Sequence, residues 1–115
     1  MFIEIKEYLD ANGHSPYGNW FDDLDARAAA KIAGAMDKIG RGLLSNVESV
    51  GGGVLEKKID FGPGYRVYFG SETDGRTMQV VILLCAGTKK SQRMDVAVAK
   101  AYWQDYKTRK RRNRN

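Results

Sequence analysis

Basic and aromatic side chains gather in the second half of the chain, where strand-like segments alternate with tight turns. They are Lys57, Lys58, Tyr65, Arg66, Tyr68, Lys89, Lys90 and Arg93. Lysine and arginine bind phosphates electrostatically, and tyrosine or arginine can stack on unpaired bases. If the segments that carry them pair in succession, these cations converge on one side of a sheet. The pattern predicts a site for a nucleic-acid backbone.

Such a cluster can also cut RNA without a metal ion. Attack by the RNA's own 2′-OH needs a base, an acid and stabilisation of a pentacoordinate phosphorane. Lysine and arginine supply the charge stabilisation, and a lysine whose pKa is lowered by cationic neighbours can act as the base. Taken singly, each residue is also compatible with a solvated strand charge, and the cluster is what favours a site. The catalytic candidates are Arg66, Lys58, Lys57, Lys89 and Lys90, and the RNA-binding candidates are Arg93, Tyr65, Tyr68, Lys107 and Arg109.

Other residue types that carry chemistry are isolated in this sequence. His14, the single histidine, precedes a serine–proline turn, and no set of side chains has the spacing of a metal site. The glycine run over 51–53 leads into a strand and is followed by no Gly-Lys-Ser, so it is not a phosphate loop. Cys85, the single cysteine, lies in an apolar run typical of a packed thiol. We therefore expect no metal and no cofactor.

Length and charge limit the class of protein. A chain of 115 residues is one domain long, and no apolar run reaches the roughly 18 residues of a membrane helix. Residues 1–25 contain one basic and six acidic residues, whereas residues 89–115 contain ten basic and two acidic ones. This asymmetry indicates a polyanion or an acidic partner, and a solubilising tail explains it equally well. The single cysteine and the absence of a secretory pattern favour the cytoplasm.

The elements that must position these residues follow from hydrophobic period and turn residues. Ser15 and Asp25 are predicted helix caps, and turns are predicted over 62–64 and at Asp74-Gly75. The polar, glycine-rich residues 45–53 are predicted to form a loop. The predicted elements are a strand over 2–8, helices from 16 and over 26–43, strands over 54–60, 65–70 and 78–85, and a helix over 92–109.

This order predicts the α+β class. We expect a single small domain with an N-terminal strand, a helical hairpin, a three-stranded antiparallel meander and a C-terminal helix, all helices covering one face of a four-stranded sheet. Residues 1–109 form the domain, and residues 110–115 are predicted to be a basic disordered tail. The predicted packing residues of the last helix are Met94, Val98, Ala101, Tyr102 and Tyr106.

Several segments, in the same order, resemble HigB-like addiction module killer proteins of the RelE/ParE toxin superfamily. The segment that carries the resemblance runs from Glu56 to Gly70 and reads Glu-Lys-Lys-Ile-Asp-Phe-Gly-Pro-Gly-Tyr-Arg-Val-Tyr-Phe-Gly. Segments over 15–27, 83–92 and 101–107 are similar to the family's helical pair, last strand and closing helix. The resemblance spans about residues 2–109.

The resemblance implies the toxin of a type II toxin–antitoxin module, with ribosome-dependent and metal-independent cleavage of mRNA. It implies that Arg66 contacts the scissile phosphate and that Lys57 and Lys58 stabilise charge or act as base. Lys89, Lys90 and Arg93 lie where the superfamily often has a further cation. The implied partners are mRNA on the ribosome and a cognate antitoxin, usually a helix-turn-helix protein that brings the complex to operator DNA, with no membrane partner.

Two other functions stay open. ParE-like members share the fold but inhibit DNA gyrase without cutting RNA, and a degenerate toxin would serve only as an antitoxin-binding partner. Many ribosome-dependent members carry a tyrosine or histidine near the start of the last helix, whereas residues 91–95 here contain neither. Asp95 or a lysine would then have to move the proton. The basic cluster favours the nuclease.

Overall fold

The computed structural model describes residues 2–74 and 78–114, so the predicted turn at Asp74-Gly75 lies partly outside the described residues. The elements are β1 (Phe2–Glu7), α1 (Pro16–Asp22), α2 (Ala26–Gly40), β2 (Val47–Gly51), β3 (Val54–Ile59), β4 (Tyr65–Asp74), β5 (Met78–Thr88) and α3 (Gln92–Arg114). A short 3₁₀ turn, Lys89–Ser91, precedes the last helix. The described strands form one sheet with the order β1-β5-β4-β3-β2.

The chain is a compact single domain of the α+β class, as predicted, but its sheet differs from the prediction. Within the described residues the sheet has five strands, and β1 pairs in parallel with β5. The antiparallel meander runs from β2 to β5 and so has one strand more than predicted. The extra strand is β2, which forms in a segment predicted as loop. Its polar side chains are tolerated because it is an edge strand.

Helices cover both faces of the sheet, and the prediction of one covered face is wrong. Ile32 and Ile39 of α2 pack with Phe69 on one face, together with α1. Ala99 and Trp103 of α3 pack on the opposite face. The reason lies in β4 and β5, which carry apolar side chains on both sides and would leave one face in water under a single helical layer.

The start and end of α2 follow from local hydrogen bonds. Its predicted cap is confirmed, because the Asp25 side chain accepts from the Ala28 N–H at 2.9 Å. Ser15 caps α1 in the same way. The helix ends at Gly40 rather than Leu43, since Gly42 adopts φ 81° and the Leu43 N–H returns to the Lys38 carbonyl.

The packing face of α3 is rotated from the predicted one. Ala99 and Trp103 are buried, whereas Met94 is 71% exposed and Ala101 is exposed. Trp103 lies against Gly70 of β4, where an added Cβ would overlap its ring. Because only glycine leaves room for the indole there, this contact sets the rotation of the helix. Val98, Tyr102 and Tyr106 contact the same cluster at its border, as predicted.

The helix continues through residues 110–114, which belong to the predicted disordered tail of residues 110–115; Asn115 lies outside the described residues. The Tyr106 hydroxyl donates to the Glu72 carboxylate at 2.7 Å, and Lys110 pairs with the same carboxylate. On the other side, the Tyr8 hydroxyl donates to Asp105 at 2.6 Å. These bonds attach the end of α3 to the sheet, which composition alone does not reveal.

Substitution of Gly70 by alanine tests the contact that orients α3. We expect Gly70→Ala to lower the free energy of unfolding by about 3 kcal/mol, because the new methyl group overlaps the Trp103 ring. Gly34→Ala in α2 is the control, since an added Cβ meets nothing within 4 Å and alanine favours the helix by about 1 kcal/mol. Urea unfolding measures the free energy of unfolding of both variants, and an equal change in the two would contradict the contact between Gly70 and Trp103.

The buried thiol of Cys85 makes the fold sensitive to alkali. Burial, followed by the charge of Asp95, raises its pKa from 9.0 to about 12. Above pH 9 the thiol therefore ionises in the unfolded chain and stays protonated in the folded one, so stability falls as pH rises. Between pH 8 and pH 10, we expect Cys85→Ala to lose about 1 kcal/mol less stability than the native chain, measured by urea unfolding. If the free energy of unfolding falls equally with pH in the native chain and in Cys85→Ala, the thiol is not the cause.

Candidate functional site

Strand register brings three predicted catalytic residues together at one end of the sheet. Lys58 of β3 lies opposite Arg66 of β4, and Arg66 lies opposite Gly87 of β5. Lys89 follows β5 directly. Lys58, Arg66 and Lys89 line a cavity of about 280 Å³ together with Asn46, Asp60 and Gly64, and we call it the basic cavity.

The turn between β3 and β4 shapes this cavity. Gly62 and Gly64 adopt φ of 56° and 80°, in the left-handed region that favours glycine. The Gly64 carbonyl accepts from the Lys89 N–H at 2.7 Å. The backbone of the turn thereby holds the start of the 3₁₀ turn next to it, and Lys89 is placed beside Arg66.

Arg66 is the most buried cation of the basic cavity, with its side chain 12% exposed. Its Nε lies 4.0 Å from the Glu56 Oε1 and has no hydrogen-bond partner among the described residues. The Glu56 side chain is 1% exposed, and its Oε2 accepts from Gln92 Nε2 at 2.8 Å. A buried donor without a partner is unfavourable. Arg66 is therefore held beside Glu56 by charge attraction, without a hydrogen bond from its Nε to any described residue.

The other two cations of the cavity are more accessible. The Lys58 Nζ lies 3.5 Å from the Glu48 Oε2, with side chains 37% and 66% exposed. Such a pair is worth little, so the lysine can turn towards a stronger anion at small cost. Lys89 is exposed. With Asp60 as the one acidic lining residue, the cavity has an excess of positive charge and favours a phosphate.

Sequence reasoning missed the residues behind Arg66. Glu56, which is buried, and Gln92, which is partly buried, form a polar layer. The sequence signal for this layer was a charged residue on a face of β3 that also packs apolar side chains. Tyr68 belongs to the same layer: burial first, and then the Glu56 carboxylate, raise the pKa of its hydroxyl well above its ordinary value. Asp95, considered as a substitute for the missing acid or base, accepts from the Ser91 hydroxyl at 2.5 Å and does not line the cavity.

Three predicted site residues lie away from the basic cavity. Lys57 points to the opposite face of the sheet from Arg66, because adjacent strand residues alternate, and its Nζ donates to the Ser45 carbonyl at 2.6 Å. Tyr65 lies on that opposite face as well, with its ring 5.8 Å from that of Trp20. Tyr68 is fully buried, where it cannot stack on a base.

The remaining candidates lie along the last helix and its entry. Lys90 and Arg93 are exposed and do not line the cavity. Lys107 has its Nζ 5.6 Å from the centre of the Trp103 ring, and Arg109 donates to Asp105 at 2.9 Å. Arg109 is seventeen helical residues from Gln92, which corresponds to about 25 Å. A ligand in the cavity would reach these two residues only by extending along α3.

Two further findings concern residues 2–74 and 78–114. No group of three or more histidine, cysteine, aspartate or glutamate side chains there is placed to hold a metal ion. In the same part of the chain, no helix combines the length and the apolar character needed to cross a membrane.

The buried carboxylate behind Arg66 can be tested by mutation. We expect Glu56→Ala to lower the free energy of unfolding by about 3 kcal/mol, because it leaves the Arg66 guanidinium buried without a counter-charge. Glu56→Gln should cost less, since an amide can still bond to Gln92. The control is Glu48→Ala, which removes an exposed carboxylate and should change stability by less than about 0.5 kcal/mol. Similar losses for Glu56→Ala and Glu48→Ala in urea unfolding would contradict the buried pair.

Comparison with known proteins places the chain in a family. No family model matches the sequence, and no solved structure matches it. An uncharacterized protein of Haemophilus influenzae is 35% identical over 106 residues, which cover 91% of this chain and 97% of that protein. Because the match extends over nearly the full length of both proteins, the chain belongs to the same family as this Haemophilus influenzae protein.

Proposed function

We propose that this protein is the toxin of a type II toxin–antitoxin module and cuts mRNA on the ribosome, which inhibits translation. The observation that carries the proposal is the convergence of Lys58, Arg66 and Lys89 around one cavity. The resemblance to HigB-like toxins supports it, because the segment from Glu56 to Gly70 supplies two of these cations. A nuclease that uses the RNA's own 2′-OH needs such a cluster and no cofactor.

In this proposal each side chain of the basic cavity has a role in the cleavage step. Arg66 binds the scissile phosphate through its planar guanidinium, which suits phosphate oxygens. The 2′-oxygen attacks phosphorus and its proton passes to a base, for which Asp60 offers a carboxylate in the cavity. The P–O5′ bond breaks, and a lysine ammonium protonates the leaving oxygen. Lys58 and Lys89 offset the charge of the phosphorane.

The same proposal assigns partners and a compartment. The cognate antitoxin, a helix-turn-helix DNA-binding protein, neutralises the toxin and brings the complex to its operator. Both proteins act in the cytoplasm, where the ribosome and the messages are found.

Inhibition of DNA gyrase, as in ParE-like proteins, is the second candidate. It is favoured by the composition of the cavity: among the described residues that line it, none is a histidine or a tyrosine, the residues that many ribosome-dependent members use for proton transfer. A protein that binds gyrase needs no such group.

Removal of the phosphate-binding arginine tests the nuclease. We expect induction of the native chain without antitoxin to stop growth and to produce new 5′ ends within translated messages, and Arg66→Ala to reduce this cleavage about 100-fold. Arg66→Lys should retain more cleavage than Arg66→Ala, because the positive charge remains while the bidentate contact with the phosphate is lost. Arg41→Ala is the control, since Arg41 directly follows α2, has a side chain that is 61% exposed and pairs with Asp37.

The other outcomes separate the alternatives. Growth arrest with intact messages would reject the nuclease, and a supercoiling assay with purified gyrase would then test the second candidate. Normal growth after induction would indicate a degenerate toxin. Circular dichroism of Arg66→Ala checks that loss of activity is not loss of fold.

A further inference from the structure

A second cavity adjoins the basic cavity on the other face of the sheet. It has a volume of about 370 Å³, lies between α2 and β3, and is here called the α2 cavity. Its basic lining residues are Lys31, Lys38, Lys57 and Lys58. Asn46, Lys58 and Asp60 line both cavities, so the two meet at the end of β3.

Lys57 is the unusual residue of the α2 cavity. It is 5% exposed, and its Nζ donates to the Ser45 carbonyl at 2.6 Å. An ammonium has three donors, and Lys57 forms no ion pair with any described residue. A buried charge without a counter-charge is unfavourable. Burial, and then the neighbouring charge of Lys38, accordingly lower the pKa of Lys57.

An anion in the α2 cavity would accept from the unused donors of the Lys57 ammonium and would supply the missing counter-charge. The cavity is open to solvent on its α2 side, where Lys31 and Lys38 are exposed. Asp60 is its one acidic lining residue against four lysines. Since the same edge also leads to Arg66, an anion here would be the neighbour of an anion in the basic cavity.

We propose that the α2 cavity is a subsite for the RNA backbone phosphate next to the one bound at Arg66. A single strand then passes over the end of β3, with one phosphate on each face of the sheet and Lys58 between them. A duplex is too stiff to turn around such an edge, so the site selects single-stranded RNA. This inference rests on the proposed function for the identity of its ligand, but binding can be measured without cleavage.

The test uses 2′-O-methyl oligouridylates with one, two or three bridging phosphates, which the toxin cannot cut. They are titrated into the full chain at low salt, with binding followed by NMR chemical shifts. For the native chain we expect the second phosphate to raise affinity about tenfold. For Lys38→Ala/Lys57→Met we expect that gain to disappear while the affinity for the one-phosphate ligand is unchanged. Methionine keeps most of the buried lysine stem, so the fold should be retained.

Controls separate a subsite from a general charge effect. Lys6→Ala removes a lysine that is 58% exposed, lines neither cavity and pairs with Glu4 at 3.3 Å, so it should bind all ligands like the native chain. If the double variant unfolds at lower urea than the native chain, Lys38→Ala alone replaces it, because Lys38 is an exposed helix residue.

Three results would overturn the subsite. The first is a double variant that gains as much affinity from the second phosphate as the native chain does. The second is a native chain that gains no affinity from it, which is the result expected if the natural occupant is an acidic protein segment. The third is a Lys6→Ala variant that loses as much of the gain as the double variant. The nuclease is judged separately by message cleavage. If messages are cut but the double variant binds the oligonucleotides like the native chain, the subsite alone is rejected. If the second phosphate raises affinity as expected but messages stay intact, the nuclease alone is rejected.

Discussion

The contacts of the buried Glu56 carboxylate are the interactions on which the geometry of the basic cavity depends. They link three elements, because Glu56 belongs to β3, Gln92 bonds to it from α3, and Arg66 faces it from β4. A buried ion pair is a poor source of stability, since desolvation offsets most of the attraction. Its value here is positional, because it holds the Arg66 guanidinium at the wall of the basic cavity.

That arrangement requires α3 to lie in one rotation over the sheet. Gly70 fixes this rotation by making room for Trp103, and Gly87 does so nearer the site by making room for Asp95. At the far end, Tyr106 of the helix donates to the Glu72 carboxylate of β4, and the Asp105 carboxylate of the helix accepts from the Tyr8 hydroxyl. The helix start is therefore placed by packing and its end by polar contacts, and Gln92 reaches Glu56 as a result.

The charge asymmetry of the sequence becomes a local feature in three dimensions. Lysines that are adjacent in β3 point to opposite faces, so Lys57 lines the α2 cavity but not the basic cavity, whereas Lys58 lines both at the edge where they meet. The most basic segment, at the end of α3, lies far from both and is partly neutralised by Asp105 and Glu72. Net charge alone would direct an anion to that segment, whereas strand register gathers Lys58, Arg66 and Lys89 around one cavity at the end of β3.

Local chemistry was readable from the sequence, because caps and turns depend on neighbours in the chain. The helix caps Ser15 and Asp25 were predicted correctly for that reason. The convergence of Lys58, Arg66 and Lys89 was also predicted, since a tight turn fixes the register of the strands it joins.

Tertiary structure alone decided the strand β2, the helix on each face, the exposure of Met94 and the continuation of α3 past Arg109. It also revealed the polar layer around Glu56 and the cavity at Lys57. These features depend on contacts between residues far apart in the chain, such as Trp103 with Gly70. The free energy of such contacts comes from surfaces that meet only once the sheet has formed.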